Sequence, residues 1–483
     1  MLSLSGYMEV LAKLDMRRRR LFWAVIAAVA AILAYQLFIP PVIGLADQND
    51  FKRTIGRLGY GAVHSDGSLN IAFVEPKYVP NPDFRERDWD QLTSELLFTE
   101  AALLVNKVVS KDGSLDITVM GLVHALAFLA VFARFLFVTR NCRARAWLWI
   151  AALVIFTDVG YVAYWNSFYA EPASGLFALL LVTESTEICL RGSVSGAGLF
   201  RWSLWAVLLV LAKPQNAPPG LLLALFCALV LSGRAASQAA RYAAWIGGAA
   251  IATASVTALA TAPASMEDQN TYNMVFMAIV PESRHAAADL ESLGLDPRLR
   301  DYSTTGAWSP NTAFFRLHAS GAIGRVVTLA TVVQFYALRP TRMWRHVQSK
   351  LPLATSLRPE WCGNFEPSAG YYPGARSGAF AIWSGFHARV LVHAIKYILF
   401  LLPIAPLYAL VRRLRTRRSE LPVEFAGLLA LSCLLALLTA LFGDAWDNVR
   451  HLYLFNLLLD VWLLSCAALA VGAARRLLRT HGK

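Results

Sequence analysis

Four short segments of this chain place charged side chains at the ends of long apolar runs. Asp47-Gln-Asn-Asp50-Phe-Lys-Arg53 follows a run that stops at Pro40-Pro41, and Asn166-Ser-Phe-Tyr-Ala-Glu171-Pro172 opens another. Lys213-Pro-Gln215-Asn separates two more, and Asp444, Asp447, Arg450 and His451 precede the last. Ionisable groups at membrane depth are costly, so they are functional candidates by default. Carboxylates held beside cations suit removal of a proton from an attacking hydroxyl, which makes Asp47, Asp50 and Glu171 catalytic candidates. Arg450, with its fork of donors, and His451, Lys213 and Gln215 suit a phosphate.

Plainer roles exist for each. Pro172 fits a first helical turn, so Glu171 could be a cap at the positive end of a helix dipole. Asp47 and Asp50 could be solvated loop acids, Arg450 and His451 interfacial anchors, and Lys213 a side chain reaching for headgroups. Asp88-Trp-Asp90 has the form of a metal-binding DxD signature, but three residues are a weak match and read as a solvated loop.

The elements that must position these residues follow from composition. The chain has 483 residues, 57% hydrophobic and 16% charged, against about 45–50% and about 25% in average soluble proteins. That excludes disorder, and 6 cysteines exclude a disulfide scaffold. Only Cys362 lies in a long polar loop, and no CxxC suggests a metal site. The net charge of +13 is concentrated in basic runs at the ends of apolar segments, such as Arg17–Arg20 and Arg412–Arg418. This is a positive-inside bias and not a nucleic-acid footprint.

Apolar windows of about 20 residues predict about ten transmembrane helices with both termini cytoplasmic. Their expected ranges are 21–43, 117–138, 146–165, 172–191, 200–212, 217–231, 239–262, 389–411, 421–442 and 452–474. An N-terminal module (1–262) holds a first outer loop (46–116), in which Leu92–Val109 reads as an amphipathic surface helix. An extracytoplasmic loop (263–388) and a C-terminal three-span module (389–483) follow. Ala322–Leu338 reads as interfacial or re-entrant, because a crossing there would put Arg412–Arg418 outside. The aromatic stretches Tyr371-Tyr-Pro-Gly374 and Trp383-Ser-Gly-Phe386 offer faces for sugars or for an interfacial belt. Partners for His124, Arg134, Asp158, Glu184 and Asp460, near span ends, are not assignable from sequence.

The acid and base motifs, with Asn270-Thr-Tyr-Asn-Met-Val-Phe276, Leu290-Glu-Ser-Leu-Gly-Leu295 and Arg450-His-Leu-Tyr-Leu-Phe-Asn456, resemble the GT-C membrane glycosyltransferases, most closely bacterial hexose transferases of glycan biosynthesis. The resemblance implies an all-α polytopic GT-C-like bundle in a bacterial inner membrane, with interfacial helices in two large extracytoplasmic loops. It also implies a polyprenyl-phosphate sugar donor and a lipid-linked or cell-surface glycan acceptor, with the bilayer as a further partner. The family's first-loop acid falls on Asp50 or Asp47 and its second on Glu171. Some members use a divalent cation such as Mg2+ or Mn2+ and others do not, so metal dependence stays open. A transporter or flippase of lipid-linked sugars is the alternative, though it commonly carries inverted repeats and midplane charges.

Overall fold

The computed structural model describes residues 15–63, 71–84, 92–416 and 420–481; Asp88-Trp-Asp90 lies outside them. Among the described residues, seven helices are long and apolar enough to cross a membrane: Met16–Phe38, Ile117–Thr139, Glu171–Arg191, Pro214–Arg234, Gln238–Ala260, Ile382–Arg415 and Leu421–Gly443. Two shorter apolar helices, Gly196–Ala212 and Tyr453–Ala468, and a bent pair, Arg145–Phe156 with Val159–Trp165, occupy the remaining expected segments. The chain is a polytopic, all-α membrane protein.

Helix boundaries follow local chemistry. Asp116 accepts the Thr118 N–H at 2.8 Å and Ser195 the Gly198 N–H at 3.2 Å, each satisfying an orphan donor of a first turn. The Glu171–Arg191 helix ends on Gly192 at φ 73°, the left-handed stop that glycine adopts without a Cβ clash. The expected single span 146–165 is instead broken by 48°. Asp158 causes the break: its carboxylate accepts N–H groups from Gly160 (2.8 Å), Trp383 (2.7 Å) and Ser384 (3.0 Å), starting a new helix tied to the second loop.

Charges inside the bundle are paired, as low polarity demands. Arg134 and Arg201 both hold Glu184, at 3.1 and 3.0 Å, and both also reach Glu187. His124 Nε2 meets Glu95 at 2.8 Å. Asp460 meets His387 at 2.8 Å and accepts from Tyr161 Oη at 2.6 Å and Trp383 Nε1 at 2.7 Å. Trp383 also stacks on Phe386 with centroids 4.8 Å apart, so its ring is held within the fold. Asp460→Leu strands three partners at once and is expected to destabilise the protein by about 3–5 kcal/mol. Thermal unfolding in detergent checks this, and an unchanged Tm would contradict it.

The first loop contains a small antiparallel sheet in the order β1 (Tyr60–Ala62), β2 (Lys77–Pro80), β3 (Leu115–Asp116), with Gly61 opposite Val79 and Tyr78 opposite Leu115. Strands this short carry no readable alternation, so the sequence reading missed them. The surface helix runs Leu96–Val109 and exposes Leu97, Leu104, Val108 and Val109 while burying Thr99, Ala102 and Asn106. Glu100 and Lys107 are exposed with these leucines and valines, so the outward face mixes apolar and charged side chains.

The second loop builds a separate core around Tyr272, Phe276, Leu290, Phe314 and Phe335. Here the expected element 322–338 shrinks to a helix at Leu329–Ala337. Gly321 (φ 74°) and Gly324 (φ 99°) turn the backbone before it, and Thr328 with Thr331 forms a capping box that starts it. Nine residues rise only about 14 Å, too little to cross a bilayer.

Candidate active site

Asn166 sets the frame. Its side-chain amide donates to Leu37 O at 3.1 Å and Ile43 O at 2.9 Å, tying the exit of the first helix to the segment that carries Glu171. Gly121 makes this possible, because a Cβ there would meet Asn166 Oδ1 at 2.0 Å. Asn364 from the second loop donates to Gly44 O at 2.8 Å and holds the same segment from the other side.

Asn49, in the left-handed region at φ 70°, then turns the chain into a 3-10 turn at Asp50–Arg53. The turn brings Arg53 to 3.2 Å from Asp50 Oδ1. Asp50 Oδ2 pairs with Arg450, whose Nε donates to Asp447 at 2.5 Å. Gln48 donates to the same Asp447 oxygen at 3.0 Å. The Arg450 guanidinium lies 4.7 Å from the Tyr169 ring centre, while the Tyr169 hydroxyl donates to Ala46 O at 2.8 Å.

Lys213 lies in extended backbone, at φ −148° and ψ 144°, because Pro214 ends the preceding helix. Its ammonium reaches Glu171 Oε1 at 2.6 Å. Asn216, two residues past Pro214, donates to Ser174 Oγ at 3.0 Å and fixes this turn on the Glu171 helix. Gln215 and His451 form a double contact: Gln215 Nε2 donates to His451 O at 2.9 Å, and Gln215 Oε1 meets His451 Nδ1 at 2.8 Å. His451 Nε2 lies 3.3 Å from Asp444, which also accepts from Asn273 at 2.9 Å.

All seven predicted site residues therefore gather in one neighbourhood. Arg53 bridges its halves electrostatically, interacting with both Asp47 and Glu171. The gathered cations are already paired with carboxylates, however, so a phosphate would have to share or displace those contacts. Asp47 differs from Asp50: one oxygen accepts the Phe51 N–H at 3.2 Å and the other is buried without a hydrogen-bond partner. Burial pushes the Asp47 carboxyl up to about 6, against the pull of the Phe51 N–H and Arg450. Burial likewise raises Asp447, lowers Arg450 to about 10 and lowers His451 to about 4. Glu171 Oε2 is also buried without a partner.

Sequence reasoning missed Gln48, Tyr169 and Glu95. Glu95 accepts the Ala173 N–H at 3.0 Å and so caps the helix that begins with Glu171. The only sequence signal for it was an acid at the start of an apolar helix. Among the described residues, no three His, Cys, Asp or Glu side chains converge to hold a metal ion. The carboxylate arrangement present does not fit one.

The profile of the YfdI N-terminal transmembrane domain covers residues 12–481. The chain belongs to this family. The YfdI family is a GT-C-like group of membrane glycosyltransferases, which accords with a multi-pass bundle carrying acids and cations at one end. No curated protein and no solved structure matches the chain.

Proposed function

We propose that this YfdI-family protein moves a hexose from a polyprenyl-phosphate donor to a lipid-linked or cell-surface glycan, at the outer face of a bacterial inner membrane. The observation that carries the reading is the convergence of Asp47, Asp50, Glu171, Lys213, Gln215, Arg450 and His451 from four distant segments. The acceptor hydroxyl attacks the anomeric carbon and passes its proton to Asp47. The bond from that carbon to the phosphate oxygen breaks, and the electron pair leaves with polyprenyl phosphate. Asp50 and Asp447 position Arg450, which with Lys213 stabilises the charge of the leaving group. Glu171 holds Lys213 in place.

The test is release of polyprenyl phosphate by detergent-purified protein given a polyprenyl-phosphate hexose and a glycan acceptor. Asp50→Ala and Glu171→Ala are each expected to reduce release to background while the protein stays folded. Full activity in both variants would overturn the site, and donor movement across vesicles without release would point to a flippase.

A further inference from the structure

A second group of exposed side chains adjoins the acid–base cluster and is not used by the chemistry above. It starts at Trp446, which lies between Asp444 and Asp447 and is 42% exposed. Gly306 packs against this ring so closely that a Cβ there would meet Trp446 Cε3 at 2.5 Å. The next residues form a tight turn, with the Ser309 N–H bonded to Gly306 O at 3.0 Å and the Gly306 N–H to Ser309 Oγ at 2.9 Å. That turn displays Trp308, 52% exposed.

Trp308 is exposed yet held. Its indole N–H donates to Gln269 at 3.1 Å, and its ring meets exposed Phe315 edge-on at 5.8 Å. Close by on the same helix as Gln269, Asp268 pairs with His318 at 2.8 Å. A polar link joins this surface to the cluster: the Ala307 N–H donates to Asn273 Oδ1 at 2.8 Å, and Asn273 Nδ2 donates to Asp444 at 2.9 Å.

We propose that Trp308 and Trp446, with Gln269, Asp268 and His318, form a sugar-binding platform that seats the acceptor glycan beside the carboxylates. A pyranose ring presents an apolar C–H face edged by hydroxyls. A pre-oriented indole takes the face, and carboxylate, amide and imidazole groups at its margin take the hydroxyls. The indole is held by Gln269, and the half-buried Asp268–His318 pair stands at its margin, so polar groups are placed to meet ring hydroxyls. The platform rests on the transferase reading, because its place at the Asp444 edge is what makes its ligand an acceptor.

The experiment uses full-length protein in detergent and, as probe, oligosaccharide repeat units released by mild acid from the source cell's envelope glycans. Binding is read without donor by saturation-transfer NMR, and turnover is read separately. Trp308→Ala is expected to weaken oligosaccharide binding and raise the acceptor KM at least tenfold, with kcat and acceptor-free donor hydrolysis within twofold. Trp308→Phe should recover most of the loss. No oligosaccharide binding by the unaltered protein, or equal binding by Trp308→Ala, would overturn the platform. Unchanged binding with poorer retention in phosphatidylglycerol vesicles would overturn it too, making Trp308 a membrane anchor. Trp308-dependent binding without any release of polyprenyl phosphate would keep the platform and sink the transferase reading.

Discussion

Asp47→Asn is expected to lower turnover about 10²–10⁴-fold, the usual contribution of a general base, while leaving the fold intact. Asp47 and Asp50 are separated by two residues, yet their surroundings differ in a way that decides between them. Both Asp50 oxygens face guanidinium groups, from Arg53 and Arg450, which stabilise the ionised form and weaken it as a base. Asp47 keeps one buried oxygen without a partner, and burial pushes its carboxyl up to about 6. The pH dependence follows in sign. A base works only when ionised, so activity should fall as pH drops through about 6, about two units above the limb of an ordinary aspartate. Initial rates between pH 5 and pH 8 check this. An Asn variant that keeps the wild-type rate, or the same acid limb, would exclude Asp47 as the base.

Arg450→Ala carries the second large effect, and it falls on stability as well as chemistry. Arg450 is buried, with Asp50 on one side, Asp447 at 2.5 Å on the other and the Tyr169 ring beneath. Removing it leaves buried Asp447 without its cation and Asp50 with Arg53 alone, an expected loss of about 3–5 kcal/mol. Thermal unfolding in detergent should show a lower Tm. Adding Asp50→Asn and Asp447→Asn should recover much of the Tm, because the uncompensated charges are gone, while polyprenyl phosphate release stays lost. A single Arg450→Ala variant as stable as wild type would mean that solvent already screens this cluster.

Asp460 makes the same argument away from the site. Its three partners, His387, Tyr161 and Trp383, lie 73 to 299 residues away in sequence. The polarity of the residue was visible in an apolar run, but its partners were not. Trp383 illustrates that blindness: as a sequence motif it offers an aromatic face, and only the fold shows that its indole N–H is tied to a buried carboxylate. Trp308, unremarkable in sequence, stands exposed beside the site.

The apolar runs, their basic ends and the acids beside them were legible from the chain alone, because lipid imposes one length and one polarity on every crossing segment. The residues worth watching were legible for the same reason, since a charge at that depth is costly enough to stand out. What the chain alone did not contain was the interior geometry. The break at Asp158 and the different fates of Asp47 and Asp50 depend on partners far away in sequence, while the short sheet and the nine-residue helix at Leu329–Ala337 rest on turns and caps too brief to show as periodicity. Hydrophobic periodicity reports whether a residue faces lipid or protein; which carboxylate meets a guanidinium, and which is left with a bare oxygen, is decided only when distant loops pack together.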